Sequence, residues 1–596
     1  MKVLYRYICV VSAAVASFCA AAQNLDPTVV VDRAYEGKLM EVHKPSLDMA
    51  VPDSVMRFDL EFDYSVFESP YESSYEFNPY LLSMKPSAAT QAPGKFYLRA
   101  GAGYQLHPEL DLVWSPVLSE SKGFSMDVYA RHRSFVGKYR AMLPDDDSVL
   151  EPVSEGSRGY DLDSRAGVDM KYDWTMGRAA LDISYYGLHQ GFNTEANKYR
   201  RGYNGVDVLF SAGSKPHVSN FIYGVDGGYR FANERGGYRF ANERKDGGDL
   251  SLNEHNFNID AVLGGLVYGN DKVMLDFGVD MAGYTGRVLD AAAVLYATPH
   301  YIFDRGRFKA DLGLKIMGST VNSLEPTDFY KNAKEPIIYP DVDVRYSLLP
   351  EHLVAYFKAG GGARLNSLSS MIRRNRFATV EAHGDIFPTY HMGLCIERVS
   401  LAAGFDGRLG RHFSWNLSGG YSNYASGVVD AMMDFFTAGD VGTILEPEYV
   451  VLRVMATGIE YAEYQKAFAS FDARWDSERF AADAVVTYTG AWGDAFQDSA
   501  YALKPAAVTG NVSFEYNYSR RIFVGVDCEF STALKGVKSP LTVPGYADLG
   551  LSAEYVTSRN LSFWIKGGNL LGMTIPRELV LAQKGPYFTL GICLNL

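Results

Sequence analysis

The densest group of titratable side chains lies between Glu381 and His391, where Glu381, His383, Asp385 and His391 fall within eleven residues. Histidines and carboxylates together can ligate a metal or move a proton, but two histidines eight positions apart on an aperiodic stretch have no fixed geometry for either task. Loop polarity accounts for them. Asp145, Asp146 and Asp147 could attract a hard cation, yet the run lacks the interleaved glycine and downstream glutamate of a calcium loop and reads as solvated surface. Arg373, Arg374 and Arg376 form the main basic cluster, which suits loop salt bridges or contact with lipopolysaccharide phosphates. No Gly-x-Ser-x-Gly, His-Glu-x-x-His, Cys-x-x-Cys or phosphate-cradling loop occurs, so the sequence predicts no catalytic residue, no metal site, no cofactor and no enzyme. A net charge of −13 without a long basic stripe argues against nucleic acid as a partner.

The elements that must position these residues are strands. The last nine residues alternate without a break, putting Phe588, Leu590, Ile592, Leu594 and Leu596 on one face, expected to point outward, and Thr589, Gly591, Cys593 and Asn595 on the other. The same dyad recurs at 166–174, 308–316, 512–518 and 547–555, with acids, lysines and glycines on the second face. Charges expected on that inner face include Asp169, Lys171, Asp173, Asp276, Asp280, Lys309, Asp311, Lys315, Glu515, Asp527 and Glu529. They would line a conduit or pair across strands to fill it. The 41 tyrosines and 34 phenylalanines suit the aromatic girdles of a membrane barrel. Cys395, Cys528 and Cys593 are far apart in strand-like runs and read as apolar fillers, not a disulfide framework.

The N-terminus reads as an export signal over residues 1–22, with Lys2 and Arg6 before an apolar stretch and Ala20-Ala21-Ala22 before Gln23. No later segment reaches the length of a helical membrane span. Residues 23–94 form a short irregular N-terminal arm, periplasmic or lumenal, rich in Asp, Glu, Pro and Tyr. Residues 95–596 carry about 22 alternating runs, and a transmembrane antiparallel β-barrel of that even number is expected, making the chain all-β. Tight turns are predicted at 174–181, 303–308 and 475–480. Longer stretches at 145–164, 231–255, 319–335, 366–394, 422–446 and 490–506 are predicted extracellular loops. The nonapeptide Gly227–Arg235 is copied identically at Gly236–Arg244. An odd-length duplication would invert every later side chain in a paired strand, so it is expected at a strand tip and loop outside the bilayer.

The run Asn560-Leu-Ser-Phe-Trp-Ile-Lys-Gly-Gly-Asn-Leu-Leu-Gly572, followed by Gly585-Pro-Tyr-Phe-Thr-Leu-Gly591, resembles the closing strands of TonB-dependent outer-membrane receptors. Gly360–Leu368 and Phe413–Tyr421 are similar to receptor-type barrels of the Bacteroidota. Thr28, Val29, Val30 and Val31 are similar to the short TonB box, a segment suited to strand addition onto a partner. Such receptors carry a globular plug before the barrel, and the arm is too short for a standard one. The resemblance implies a plugless, receptor-like barrel of the cell outer membrane, in transport or as the membrane component of an uptake assembly. A non-transporting scaffold of an outer-membrane secretion or barrel-assembly complex is the alternative. Expected partners are outer-membrane lipid and lipopolysaccharide, the barrel-assembly machinery, and TonB or a surface lipoprotein.

Overall fold

The computed structural model describes residues 95–596 apart from loop segments, the longest being 241–250, 324–337, 375–392 and 441–448. Nearly all of the described chain is strand. Twenty-two antiparallel strands pair in chain order from Phe96–Tyr104 to Tyr587–Asn595, and these two strands pair with each other, closing a barrel. Closure leaves no open edge in lipid, where unpaired backbone groups cost several kcal/mol each. Three shorter strands, Leu150–Pro152, Ile575–Glu578 and Leu581–Gln583, join the sheet above the wall, and Leu503–Lys504, Leu534–Gly536 and Thr542–Val543 form a separate small sheet.

The two rims differ, as alternating strand lengths would require. At one rim the strands join by short turns, as between Asp173 and Gly177, Arg305 and Phe308, Leu349 and Leu353, and Asp476 and Phe480. This is the periplasmic side, and the long excursions leave from the extracellular side. Large apolar residues of one alternation phase are exposed: Ile183 and Tyr185, Val273, Leu275 and Phe277, and Leu312, Leu314 and Ile316. On a barrel this size that phase faces lipid.

The first and last wall strands meet at a seam built around one ring. Arg99 lies over the Trp564 ring at 4.2 Å, and a Cβ at Gly591 would stand 2.4 Å from that ring and 2.3 Å from the Ala100 carbonyl. Gly591 is therefore a spacer for the indole. Gly591→Val should overpack the seam by about 1–3 kcal/mol, lowering the urea midpoint of the refolded barrel followed by tryptophan fluorescence.

The strands run further outward than the sequence suggests. Residues 231–240 belong to Phe221–Phe240 and 251–255 to Ser251–Tyr268, while Phe413–Asp440 and Tyr449–Asp476 reach 28 residues each. The predicted loops at 231–255 and 422–446 are thus largely strand, and 157–164 and 319–323 likewise. Beyond the bilayer a ladder needs only backbone pairing, so the oil–water alternation that marks a membrane strand fades there. The first copy of the duplicated nonapeptide lies wholly within Phe221–Phe240, and the second begins in the same strand. The predicted loop at 366–394 contains a helix, α1 (Leu368–Arg374).

Candidate luminal site

α1 is a short helix with a polar cap and one apolar side. The Ser367 hydroxyl accepts the Ser370 N–H at 3.2 Å and Met371 N–H bonds the Ser367 carbonyl, a serine N-cap. Seven residues are too few to be stable alone, so packing must hold them. Leu368, Met371 and Ile372 are almost completely buried. They pack with Leu188, Tyr203, Ala232, Leu252, Ala282, Tyr284 and Val428 in one apolar cluster. Those partners come from five consecutive wall strands, Gly177–Asn193 through Asp271–Gly286, and from Phe413–Asp440. α1 therefore bridges five adjacent wall strands and the outward extension of Phe413–Asp440.

The register shows what lies beneath it. Arg131, Arg165, Tyr186, Gly205, Ala232, Glu254 and Tyr284 are successive partners across seven strands and form one row on the inner face. Glu254 is fully buried, and both its carboxylate oxygens lie 3.4 Å from the Ser369 N–H at the start of α1. In the adjacent row Arg230 donates to both oxygens of Asp207, at 2.5 and 3.0 Å, and to the Ser369 hydroxyl at 3.0 Å. Arg373 reaches the same Asp207 at 3.0 Å. Two guanidiniums thus share one carboxylate.

Other bonds tie the loop on its far side. Arg374 donates to Asp430 at 3.2 Å. The Tyr461 hydroxyl accepts from Asn366 at 2.6 Å and from the Gly393 N–H at 3.1 Å, pinning the two stems of the loop together. Further outward along the same strands, Arg201 and Glu234 form an ion pair with 1% and 3% of their side chains exposed and Nε 2.5 Å from the carboxylate. That contact is ionic rather than a well-aligned hydrogen bond.

The charges expected on the inner face mostly have partners. Asp169 pairs with Lys171, Asp173 with Arg178 and Lys215, and Glu529 accepts the Tyr546 hydroxyl. His300 sits between Asp276 and Asp311, at 3.1 and 3.0 Å. Asp280 accepts from Asn256, and the Lys315 ammonium lies 5.2 Å from the Tyr296 ring centre. Among the described residues no group of three or more His, Cys, Asp or Glu is placed to hold a metal ion. Phe588, Leu590, Ile592 and Leu596 are exposed, Leu594 is half-buried, and the alternate Thr589 and Cys593 are buried. Arg373 and Arg374 make loop salt bridges, the plain role the sequence suggested. Thr28, Val29, Val30 and Val31, the export signal, the arm, Asp145–Asp147 and Glu381–His391 lie outside the described residues. Asp207, Arg230 and Glu254 were not singled out in the sequence, because each is one charge in an alternating strand and only the register brings them together.

No family model matches the chain, and no curated protein matches it in sequence. Solved structures do match it in fold. The copper transporter OprC aligns at a TM-score of 0.55 with 11% identity, covering 85% of this chain and 81% of that one. The ferric enterobactin receptor PfeA from Pseudomonas aeruginosa aligns at 0.55 with 7% identity, over 85% and 80%. The siderophore receptor PiuA from Acinetobacter baumannii aligns at 0.55 with 10% identity, over 85% and 82%. These neighbours are TonB-dependent receptors. At such identities the likeness is one of fold: the chain is a 22-stranded outer-membrane β-barrel built like the barrels of those receptors.

Proposed function

We propose that this chain is a transport barrel of the outer membrane, receptor-like but without a standard plug, narrowed toward the cell exterior by α1. The observation that supports this reading most is the seating of α1 inside the mouth, with both an apolar footprint and a buried carboxylate beneath its first turn. A wall that served only as an anchor would have no need of a bridging element. The arm at residues 23–94 would occupy or gate the lumen from the periplasmic side. Its Thr28–Val31 segment would add as a strand to a TonB-type energy-coupling partner, with the barrel-assembly machinery inserting the chain among lipid and lipopolysaccharide.

The scaffold reading has one observation in its favour. The hairpin Phe413–Asp440/Tyr449–Asp476 pairs with its wall neighbours only as far as Ser426 and Gln465, so residues 427–440 and 449–464 rise as a two-stranded ribbon beyond the wall. Planar-bilayer conductance decides between the two. The refolded mature chain should be nearly silent, and a form lacking residues 23–94 and carrying Ile372→Asp should conduct. Silence from that form as well would mean a filled lumen and would favour the scaffold.

A further inference from the structure

The inner wall beside α1 carries arginines with no carboxylate at ion-pair distance among the described residues. Arg131 and Arg165 face each other directly across two strands, an arrangement that is destabilising between like charges. Neither makes an ion pair among the described residues, and Arg165 instead leans on the Tyr129 ring at 5.9 Å. The nearby carboxylates have other work: Asp182 accepts the Tyr129 hydroxyl at 3.0 Å, and Glu254 faces the first turn of α1. Asp207 is shared between Arg230 and Arg373. The Arg373 side chain is 60% exposed, so its guanidinium is open to a solute despite that bond. The protein around Arg373, together with the charges of Arg230 and then Arg165, disfavours its protonated form, while Asp207 supports it.

Gly205 leaves room among these groups, whereas Gly167 makes way for the Tyr129 side chain, whose hydroxyl would lie 2.6 Å from a Cβ there. Gly167 lies between Tyr129 and Ser184 in the row of Asp207 and Arg230, and Gly205 lies between Tyr186 and Ala232 in the row of Arg131 and Arg165. A side chain at Gly205 would meet Tyr203 at ordinary contact distance and fill surface beside the arginines. We propose that Arg131, Arg165, Arg230 and Arg373 form a binding site for a small solute bearing a carboxylate or phosphate group. Planar guanidinium forks match such oxyanions in two-point contacts, and a confined lumen strengthens the attraction. Because Arg373 belongs to α1 and the other three to the wall, an anion held here touches both the narrowing element and the barrel.

The inference names a solute class for the transport reading and rests on it only for the solute's route. Equilibrium binding needs no translocation, so a silent bilayer with retained binding would count against transport alone. The test is isothermal titration of the refolded full chain in a zwitterionic detergent at low salt, with citrate and inorganic phosphate as probes. Saturable binding of at least one is expected. The Arg131→Gln/Arg165→Gln variant should weaken it by about tenfold to a hundredfold, while Arg559→Gln, in a periplasmic turn, should leave it unchanged. Arg373→Gln, a change in the loop rather than the wall, should weaken binding even if the double variant folds poorly. No saturable binding of either probe, or undiminished binding in a folded double variant and in Arg373→Gln, would overturn the site.

Discussion

Ile372→Asp releases α1 from the wall while the barrel stays folded. The side chain is 2% exposed and packs among residues from several strands. The change forfeits about 1.5–3 kcal/mol of apolar burial and adds the desolvation of a carboxylate. A seven-residue helix has almost no stability of its own to set against that. The 22-strand ladder is untouched, so the loss falls on the α1 contact alone. A cysteine placed at Met371, itself 3% exposed, reports the release. It should react slowly with a bulky maleimide in the otherwise native chain and about a hundredfold faster with Ile372→Asp, as expected for about 3 kcal/mol of lost seating free energy. Cys395 and Cys528 are half-buried and Cys593 buried, so the chain without the added cysteine supplies the background. Equal rates in the two forms would show that α1 is not held by this cluster.

Arg201→Ala should be the most destabilising single change in the extracellular wall. Glu234 would be left 2% exposed with its ionic partner gone, and breaking a buried pair by removing one member costs about 3–5 kcal/mol. The paired change Arg201→Met/Glu234→Leu removes both charges and keeps the volume, and it should recover most of the loss. Heating in detergent, read by the temperature at which the protein stops migrating as a compact barrel on a gel, separates the two. A double variant as weak as Arg201→Ala would mean that packing, not charge, sets the cost.

Much of the fold could be read from alternation alone. The final strand Phe588–Leu596, the tight turns near Trp174, Arg305 and Asp476 and the strand number all follow from a wall that separates oil from water. That signal ends where the lipid ends. Strands 231–240 and 427–440 therefore passed for loops, since outside the membrane either face of a ribbon can be polar. α1 escaped for a different reason: Leu368-Ser-Ser-Met-Ile-Arg-Arg374 shows fewer than two turns of amphipathic pattern, and its apolar side has meaning only against Leu252 and Tyr284. The luminal site was legible only in part. Arg373 and Arg374 stood out as a run, but Arg131, Arg165, Asp207, Arg230 and Glu254 are spread over some 120 residues and meet only through pairing register.

The seam between Phe96–Tyr104 and Tyr587–Asn595 has a consequence for how the molecule comes into being. Its two halves are the first and last strands of the wall, about 490 residues apart in the chain, so the contact that completes the fold is also among the most distant in sequence. Loop-closure entropy makes such contacts slow to form. A chain arrested before Tyr587 would present two raw backbone edges to lipid, which no spanning structure tolerates. Export must therefore be finished before insertion can be, and a truncation of only ten residues should be degraded as an unassembled chain rather than persist as a slightly smaller pore.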